Sequence, residues 1–405
     1  FAGLLGIVFI LGLAVLLSNN RKAINKRLVL SGLGLQLFLA IIILKVPPVK
    51  NFFQLLGHGM EKIEGFGREG MKFVLGGVLP NPPELAKYFG GNNAFIFAFN
   101  IPATIILVCV LVAIMYHLGV MQFIVSVIAR GVHFIMRASG AETLSNVASA
   151  FVGQVEAQVI IRPYLAGMTN SELLASMAGS MACIAGGMLI VYVNMGVPAE
   201  YLIAASLMAA PGALVISKIV YPETEESQTK GNVKLEVKSP YSNVIDAISH
   251  GASDGMKISI NVVAMLIGFL ALIAFINYIF QKINPDLSLN TIFGYVFYPF
   301  AFTMGVPSVD VHNVATLMGQ KFTINEFVAF SNLTVIKQTM TEKGLAIASF
   351  ALCGFANFSS VGMQIGGIGE MAPTRRADLA KLGIRALICG TLASYLSATI
   401  AGILM

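Results

Sequence analysis

Apolar stretches of about 20 residues recur along the whole chain, and they constrain the fold more than any other feature of the sequence. About 20 apolar residues cross the hydrocarbon core of a bilayer as one α-helix. Only Lys45 interrupts the second stretch, and the others carry no charge. The stretches cover residues 1–18, 28–46, 93–116, 173–199, 201–217, 258–281, 344–369 and 386–405. The sequence therefore predicts an all-α polytopic membrane protein with about eight transmembrane helices.

The composition excludes other classes of protein. Charged residues make up 11% of the chain, whereas a soluble domain carries about 25%. The net charge of +6 comes mostly from short basic clusters between apolar stretches, so we expect no nucleic-acid partner. The four cysteines lie in apolar stretches without metal-ligand or disulfide spacing, and we expect no metal centre or other cofactor.

Three basic clusters predict the orientation in the membrane. They follow the first and fifth stretches and precede the eighth, at residues 21–27, 218–238 and 375–385. Lysine and arginine concentrate on the cytoplasmic side, so eight spans leave both termini outside an inner (plasma) membrane. The first stretch lacks a basic leader and a cleavage site, which favours a helix over a signal peptide.

Segments between the spans differ in polarity. Residues 50–79 and 118–140 place apolar residues at helical spacing among basic ones, which is typical of helices lying in the membrane interface. Residues 221–245 form the one clearly hydrophilic linker.

An internal repeat relates two parts of the chain. Glu156 and Glu326 lie 170 positions apart, and Cys183 and Cys353 share that offset, as do Glu172 and Glu342. The upstream segments NVASAFVGQ and NVATLMGQ also match with a small gap. In the predicted topology the first copy starts inside and the second outside. Inverted repeats of this kind are typical of secondary transporters, whose substrates bind near the midplane.

Each copy predicts a re-entrant helical hairpin followed by an interrupted helix. The hairpins cover residues 142–168 and 308–337. Small or polar residues interrupt the following spans at 185–187 and 355–360. Non-helical backbone at membrane depth is tolerated where it lines a cavity or is buried in protein.

The two hairpin carboxylates are the first candidate site residues. An ionised carboxylate at the bilayer centre costs about 2.5–3.5 kcal/mol on insertion scales. Glu156 and Glu326 therefore either line a polar cavity or pair with a basic residue for packing, such as Arg162 or Lys321. Gln154 offers both a donor and an acceptor to a polar substrate.

Other polar residues leave two interpretations open. Asn357, Ser359 and Ser360 bind substrate hydroxyls or hydrogen-bond between helices. His312 and Asp310 form a hydrolytic dyad or an ordinary loop pair, and no GxSxG or HExxH motif accompanies them.

Six ordered motifs resemble those of the concentrative nucleoside transporter family, over residues 20 to 402. They are GQVEAQVIIRPYL, SMACIAGG, MGVPAEYLIAASLMAAPG, GYVFYPFAFTMGVP, INEFVAF and CGFANFSSVGMQIGGIG. The resemblance implies a homotrimer in which a transport domain moves as an elevator against a scaffold domain. By this resemblance the chain divides into scaffold and interfacial helices (1–140), the first transport repeat (141–220), a linker with scaffold helix 6 and an interfacial segment (221–307), and the second transport repeat (308–405).

The same resemblance implies a nucleoside site. Residues near the nucleobase would be Gln154, Val155, Glu156, Met188 and Phe355, and residues near the ribose hydroxyls would be Glu326, Asn357 and Ser360. The chain departs from the family at Val155, where a small hydroxyl residue is usual, and at Gln158, where an apolar residue or proline is common. These departures put base recognition in question.

A cation site is also implied, at Ser149, Val152, Cys183 and Ile184. Sodium-coupled relatives carry Asn and Ser where this chain has Ser149 and Cys183. A thiol is a poor ligand for a hard cation, so we expect proton coupling rather than sodium coupling, with Glu156 or Glu326 as the proton carrier.

The resulting hypothesis is a cation-coupled secondary importer of nucleosides that is not an enzyme. The alternatives are an elevator carrier for another polar solute, such as a nucleobase or modified nucleoside, and an intramembrane hydrolase that uses His312 and Asp310. A channel is a weaker alternative, since two occluding hairpins suit alternating access better than an open pore.

Overall fold

The computed structural model describes residues 2–79, 82–89, 96–229 and 241–405. Every regular element in these ranges is a helix, which confirms the predicted all-α class.

Six helices precede the first repeat. Asn25 begins the second of them by accepting a hydrogen bond from the Leu28 N–H (3.2 Å). Pro47 opens the third, where its missing N–H costs nothing. Both segments predicted to lie in the interface are helical over most of their length. The six helices are α1 (Ala2–Leu16), α2 (Lys26–Lys45), α3 (Pro47–Leu75), α4 (Pro82–Phe89), α5 (Phe97–His117) and α6 (Val120–Met136).

The first repeat contains a helical hairpin, a broken helix and a long helix. Capping boxes start both the hairpin, at Ser139 and Glu142, and the broken helix, at Thr169 and Glu172. The break lies at residues 183–185. The helices are α7 (Gly140–Ser149), α8 (Glu156–Ile160), α9 (Arg162–Leu165), α10 (Asn170–Ala182), α11 (Gly186–Asn194) and α12 (Ala199–Val220).

A 40-residue helix and two short ones connect the repeats. They are α13 (Val244–Ile283), α14 (Leu289–Val296) and α15 (Tyr298–Thr303). The second repeat then follows the order of the first. Its hairpin is α16 (Val311–Thr323) and α17 (Glu326–Ile336), its broken helix is α18 (Glu342–Leu352) and α19 (Phe358–Met371), and its long helix is α20 (Arg376–Leu404).

Five segments in the described ranges are long and apolar enough to cross a membrane. They are Lys26–Lys45, Ala98–His117, Asn170–Asn194, Ala199–Val220 and Pro373–Leu404. The first predicted stretch forms the shorter α1, the sixth lies within α13, and the seventh is divided between α18 and α19. The count of eight crossing helices therefore remains a prediction.

The centre of the molecule is formed by α10, α12 and α20. In the three apolar segments that contain these helices, 83% to 89% of the most apolar stretch is buried inside the protein. Small residues let the backbones approach closely: a Cβ at Gly390 would lie 2.9 Å from Met181 Cβ. Gln36 joins α2 to this centre by donating to the Met208 carbonyl (2.9 Å) and to Ser397 Oγ (3.1 Å).

One basic residue used to predict the topology is not a surface charge. Lys218 Nζ lies 2.7 Å from Glu142 Oε2 and 3.3 Å from Glu223 Oε2. The Lys218 side chain is 5% exposed and that of Glu142 is 2% exposed. Glu223 also accepts a hydrogen bond from Thr169 Oγ1 (2.7 Å). The start of the hydrophilic linker is thus attached to the base of the first hairpin through a buried ion pair.

Candidate functional site

Glu326 is the most enclosed carboxylate of the predicted site. It is the first residue of α17 and is 6% exposed. Tyr192 Oη donates to its Oε1 (3.3 Å) and Asn357 Nδ2 donates to its Oε2 (3.0 Å). Among the described residues no basic nitrogen lies within 4.0 Å of it, so the alternative pairing with Lys321 is not formed. Two neutral donors therefore replace the water that this carboxylate loses on burial.

The broken helix of the second repeat brings Asn357 to this carboxylate. Asn357 caps α19, because its Oδ1 accepts from the Ser360 N–H (2.9 Å) and from Ser359 Oγ (2.9 Å). The cap occupies the amide oxygen and leaves the amide nitrogen for Glu326. One residue thus ends the break and orients the carboxylate.

Tyr192 is the member of the site that the sequence analysis missed. It lies on α11, fully buried, and stacks on Phe330 of α17 with ring centroids 4.4 Å apart. It follows Met188 by four positions, so the two share one face of the helix. That spacing, in a half-helix that follows a break, was the signal available in the sequence.

Two predicted substrate residues carry buried polar atoms without partners. Within the described ranges, Gln154 Oε1 and Ser360 Oγ make no hydrogen bond. The Gln154 amide nitrogen makes only a weak contact with Met363 Sδ (3.6 Å). Buried polar groups are paired in the great majority of cases, so these two atoms fit a site that a polar ligand completes.

The tip of the first hairpin lies along α19. Besides the contact between Gln154 and Met363, the Val155 methyl groups lie where a Cβ on Gly367 would be. Val155 therefore packs against a helix through its apolar side chain.

A cavity of about 390 Å³ opens beside this tip. Glu156 is exposed to it, and Met188 forms part of the same wall. The facing wall comes from α5 and α13 and includes Tyr116 and Asp254. Glu156 therefore faces open space, whereas Glu326 is enclosed.

The two helix breaks meet directly. The Phe355 N–H donates to the Cys183 carbonyl (3.3 Å), and Phe355 itself is half-buried. Gly354 has a positive φ of 104°, and a Cβ there would overlap the Ala182 carbonyl. Only glycine takes this conformation and this approach without strain.

We expect Gly354→Ala to lower the free energy of unfolding by about 2 kcal/mol or more. The cost of a positive φ for alanine and the cost of the steric overlap add to each other. Uptake should fall with it, since the breaks carry the site. The measurement is the melting temperature in detergent together with transport in vesicles. Gly362→Ala on α19, where a Cβ meets nothing within 4 Å, is the matched control and should lower neither, because alanine is a better helix former than glycine. Equal behaviour of the two variants would contradict the close approach.

The predicted cation ligands have partners within the protein. Ser149 Oγ donates to the Ser145 carbonyl (2.7 Å) and is 2.9 Å from Ser180 Oγ. The Ile184 carbonyl accepts from Ser206 Oγ (3.4 Å). The Cys183 thiol makes long contacts with two backbone carbonyls, at 3.8 and 3.9 Å. Val152 is buried and lines the cavity.

Gln158 joins this set of internal hydrogen bonds. It is fully buried, donates to Ser180 Oγ (2.6 Å) and accepts from Ser176 Oγ (2.7 Å). Both hydrogen bonds connect the second arm of the first hairpin to α10. Gln158 and Ser149 therefore share Ser180 as a partner in the interior of the protein.

The hydrolytic dyad is not formed. Asp310 Oδ2 accepts from the backbone N–H (3.1 Å) and hydroxyl (2.5 Å) of Thr341. His312 is exposed, and its ring lies edge-on to Tyr295 with centroids 5.9 Å apart. Asp310 thus secures the loop before α18.

The buried carboxylate, the paired breaks and the long apolar helices define a polytopic helical transporter. The comparisons agree. The chain matches family models described as Na+ dependent nucleoside transporter N-terminus (residues 5–78), nucleoside recognition (98–199) and Na+ dependent nucleoside transporter C-terminus (201–402). It therefore belongs to the concentrative nucleoside transporter family.

Individual relatives cover nearly the whole chain. An uncharacterized transporter of Haemophilus influenzae is 42% identical, over 99% of this chain and 97% of its own. The nucleoside permease NupC of Helicobacter pylori is 37% identical, over 97% and 96%. A solved structure of CNTnw in an inward-facing substrate-bound state has a TM-score of 0.93 at 40% identity, over 99% and 97%. The first two relatives are named as a transporter and a permease, which agrees with a chain that is not an enzyme.

Proposed function

We propose that this protein imports nucleosides together with a cation, and that Glu326, Asn357 and Ser360 bind the ribose hydroxyls. The observation that carries the proposal is the buried Glu326 carboxylate, held between Tyr192 and Asn357. A carboxylate accepts charge-assisted hydrogen bonds from vicinal hydroxyls. The unpartnered Ser360 hydroxyl can donate or accept. The names of the relatives agree with a nucleoside substrate.

The nucleobase is assigned to the first hairpin and the first break. Gln154 supplies a buried amide oxygen without a partner, and Glu156 a carboxylate facing the cavity. Met188 is an adaptable apolar surface that repacks around different rings. Phe355, half-buried at the second break, packs against the base, and Val155 completes the apolar wall.

Transport follows an elevator mechanism in this proposal. Residues 141–220 and 308–405 form the moving domain, residues 1–140 and 221–307 supply the scaffold, and three copies associate. The cavity supports this division, because its walls come from the first repeat on one side and from α5 and α13 on the other. Such a cavity changes shape when one group of helices moves past the other.

The coupling ion is a proton rather than sodium. The support is chemical: the side chains at positions 149 and 183 offer a hydroxyl already bonded to Ser145 and Ser180, and a thiol. Gln158 extends this internal set of hydrogen bonds. One cation that moves inward at 100 mV contributes about 2.3 kcal/mol, which exceeds the 1.4 kcal/mol needed for tenfold accumulation.

Uptake into proteoliposomes tests the substrate and the ion together. Labelled uridine and adenosine are offered under an inward pH gradient, and separately under an inward sodium gradient at constant pH. We expect accumulation with the pH gradient alone, and competition by nucleosides but little by 3′-deoxy analogues. Accumulation driven by sodium alone would refute proton coupling and keep the substrate.

The double variant Ser149→Asn with Cys183→Ser sharpens the ion test. It restores an amide oxygen and a hydroxyl at the two altered positions. We expect it to create a sodium response that the unmodified protein lacks. A sodium response already present before substitution, and only strengthened by it, would show that the original ligands suffice.

The Val155 side chain packs against Gly367 and offers no hydroxyl to a nucleobase. This favours a second class of substrate as the alternative. A carrier for nucleobases or modified nucleosides would transport these in preference to uridine and adenosine. A free base that competes as well as its nucleoside would favour this alternative, since it lacks the ribose.

A further inference from the structure

A second ionisable group, besides Glu326, is enclosed at the second hairpin. Lys321, close to the end of α16, has 0% of its surface exposed and is among the largest fully buried side chains in the described ranges. Lysine is almost never fully buried unless it is paired. In the part of the chain that the structure describes, no carboxylate lies within 4.0 Å of it.

The partners of Lys321 are backbone carbonyls at the second helix break. Its Nζ donates to the carbonyls of Ala351 (2.9 Å) and Cys353 (3.0 Å). These residues lie at the C-terminal end of α18, which stops at Leu352. The last carbonyls of a helix have no partner within it and carry partial negative charge. The ammonium therefore lies where the broken helix exposes its negative end.

This contact connects both halves of the carboxylate site. Lys321 and Glu326 are five positions apart in the second hairpin, on either side of its turn. Cys353 begins the break that ends at Asn357, the donor to Glu326. Ser394 Oγ of α20 also donates to the Cys353 carbonyl (3.0 Å). Lys321 thus attaches the hairpin that carries the acceptor to the break that carries the donor.

The first repeat folds without such a residue. The residue after the matching glutamine of the first repeat, Gln154, is the apolar Val155, and that hairpin instead uses Phe151. Its backbone carbonyl accepts from the Gly186 N–H (3.2 Å) and joins hairpin to break in that way. A buried ammonium is therefore not needed to hold a hairpin against a broken helix in this architecture. It occurs in the repeat that carries the enclosed carboxylate.

The geometry points to Lys321 as a positioning residue. Its side-chain nitrogen holds the break between α18 and α19, so that Asn357 and Glu326 together select substrates with vicinal hydroxyls. This inference rests on the proposed function of Glu326.

The test is the selectivity of Lys321→Met for ribose hydroxyls. Methionine has a similar length and can neither donate nor carry charge. Inhibition constants of uridine and 3′-deoxyuridine are measured against labelled uridine in proteoliposomes, and their ratio is the readout. We expect the ratio to fall at least about tenfold, because hydrogen bonds from a charged donor are the strong ones. A ratio equal to that of the unmodified protein would overturn the inference, even if both ligands bound more weakly.

Lys337→Met is the matched control. Lys337 ends the same hairpin and also donates to two carbonyls, those of Met195 (3.4 Å) and Gly196 (3.2 Å), at the end of α11. In the described structure its hydrogen bonds go to these two carbonyls and not to the break at residues 353–357. Its substitution should leave the ratio unchanged. An equal fall in the two variants would mean that the hairpin acts only as a whole, and would also overturn the inference.

Two more variants keep the result decisive. Ser394→Ala is used if Lys321→Met does not accumulate in the membrane, because it removes the other side-chain donor to the Cys353 carbonyl. It should lower the same ratio of inhibition constants by a smaller factor. An unchanged ratio would count against the inference. Glu326→Gln distinguishes a failure of the proposed ribose contact from a failure of the role of Lys321. If it keeps full discrimination, the proposed ribose contact fails, whereas loss of discrimination in Glu326→Gln but not in Lys321→Met refutes only the role of Lys321.

Discussion

Replacing Glu326 with alanine is expected to reduce nucleoside affinity by about 100-fold to 10,000-fold. The carboxylate would accept hydrogen bonds from two hydroxyls, each contributing about 1.5–3 kcal/mol because the acceptor is charged. The substitution also leaves Tyr192 Oη and Asn357 Nδ2 buried without their acceptor. The measurement is uridine uptake and binding in proteoliposomes.

The variant should also lose selectivity. Uridine and 3′-deoxyuridine differ by one hydroxyl, and the Glu326 carboxylate is the charged acceptor for that hydroxyl. Without the carboxylate, the two compounds should compete almost equally. Glu370→Ala provides the control, because Glu370 is an exposed carboxylate near the end of α19 in the same repeat. Normal uridine uptake by Glu326→Ala would remove the basis of the site assignment.

Replacing Lys218 with methionine is expected to destabilise the protein by about 3–5 kcal/mol, because removing one partner of a buried ion pair leaves an uncompensated charge. Glu142 would be the uncompensated group, at 2% side-chain exposure. Melting temperature in detergent measures the effect. Glu142→Gln in the same chain should recover much of the loss, since it removes the unpaired carboxylate.

An exposed pair on α13 supplies the comparison. Lys257 lies 3.4 Å from Asp254, with side-chain exposures of 71% and 56%. Exposed pairs contribute about 0–1 kcal/mol because water screens them, so Lys257→Met should change the melting temperature little. If Lys218→Met and Lys257→Met behaved alike, the buried position of Lys218 would be wrong.

Much of the candidate site could be predicted from local sequence. A carboxylate in an apolar segment is costly wherever that segment packs, so Glu156 and Glu326 were identifiable without a fold. The repeat showed that the two belong to equivalent hairpins. Asn357 was identifiable as a polar residue at an interruption, and the structure places it in contact with Glu326.

The environments of these residues were less predictable. Glu156 and Glu326 occupy equivalent sequence positions, yet one faces a cavity and the other is enclosed. The sequence associates Gln158 with base recognition, but its hydrogen bonds go to Ser176 and Ser180 on α10. The sequence offers Lys321 as a partner for Glu326, but in the structure Lys321 donates to carbonyls at the second break.

The sequence by itself determined the class of protein, the internal repeat and the approximate positions of the helix breaks, which begin two residues earlier in the structure, at residues 183 and 353. The class and the breaks depend on the composition of continuous segments, because the bilayer acts on every segment through its own hydropathy. The repeat is visible because its two copies share residues at one offset. Only the tertiary structure decided which partners the buried polar groups have. Tyr192 lies 134 positions from Glu326, and Lys218 meets a glutamate from another helix. Such partners depend on which distant segments pack together, and helical periodicity shows which face is apolar but not what that face contacts.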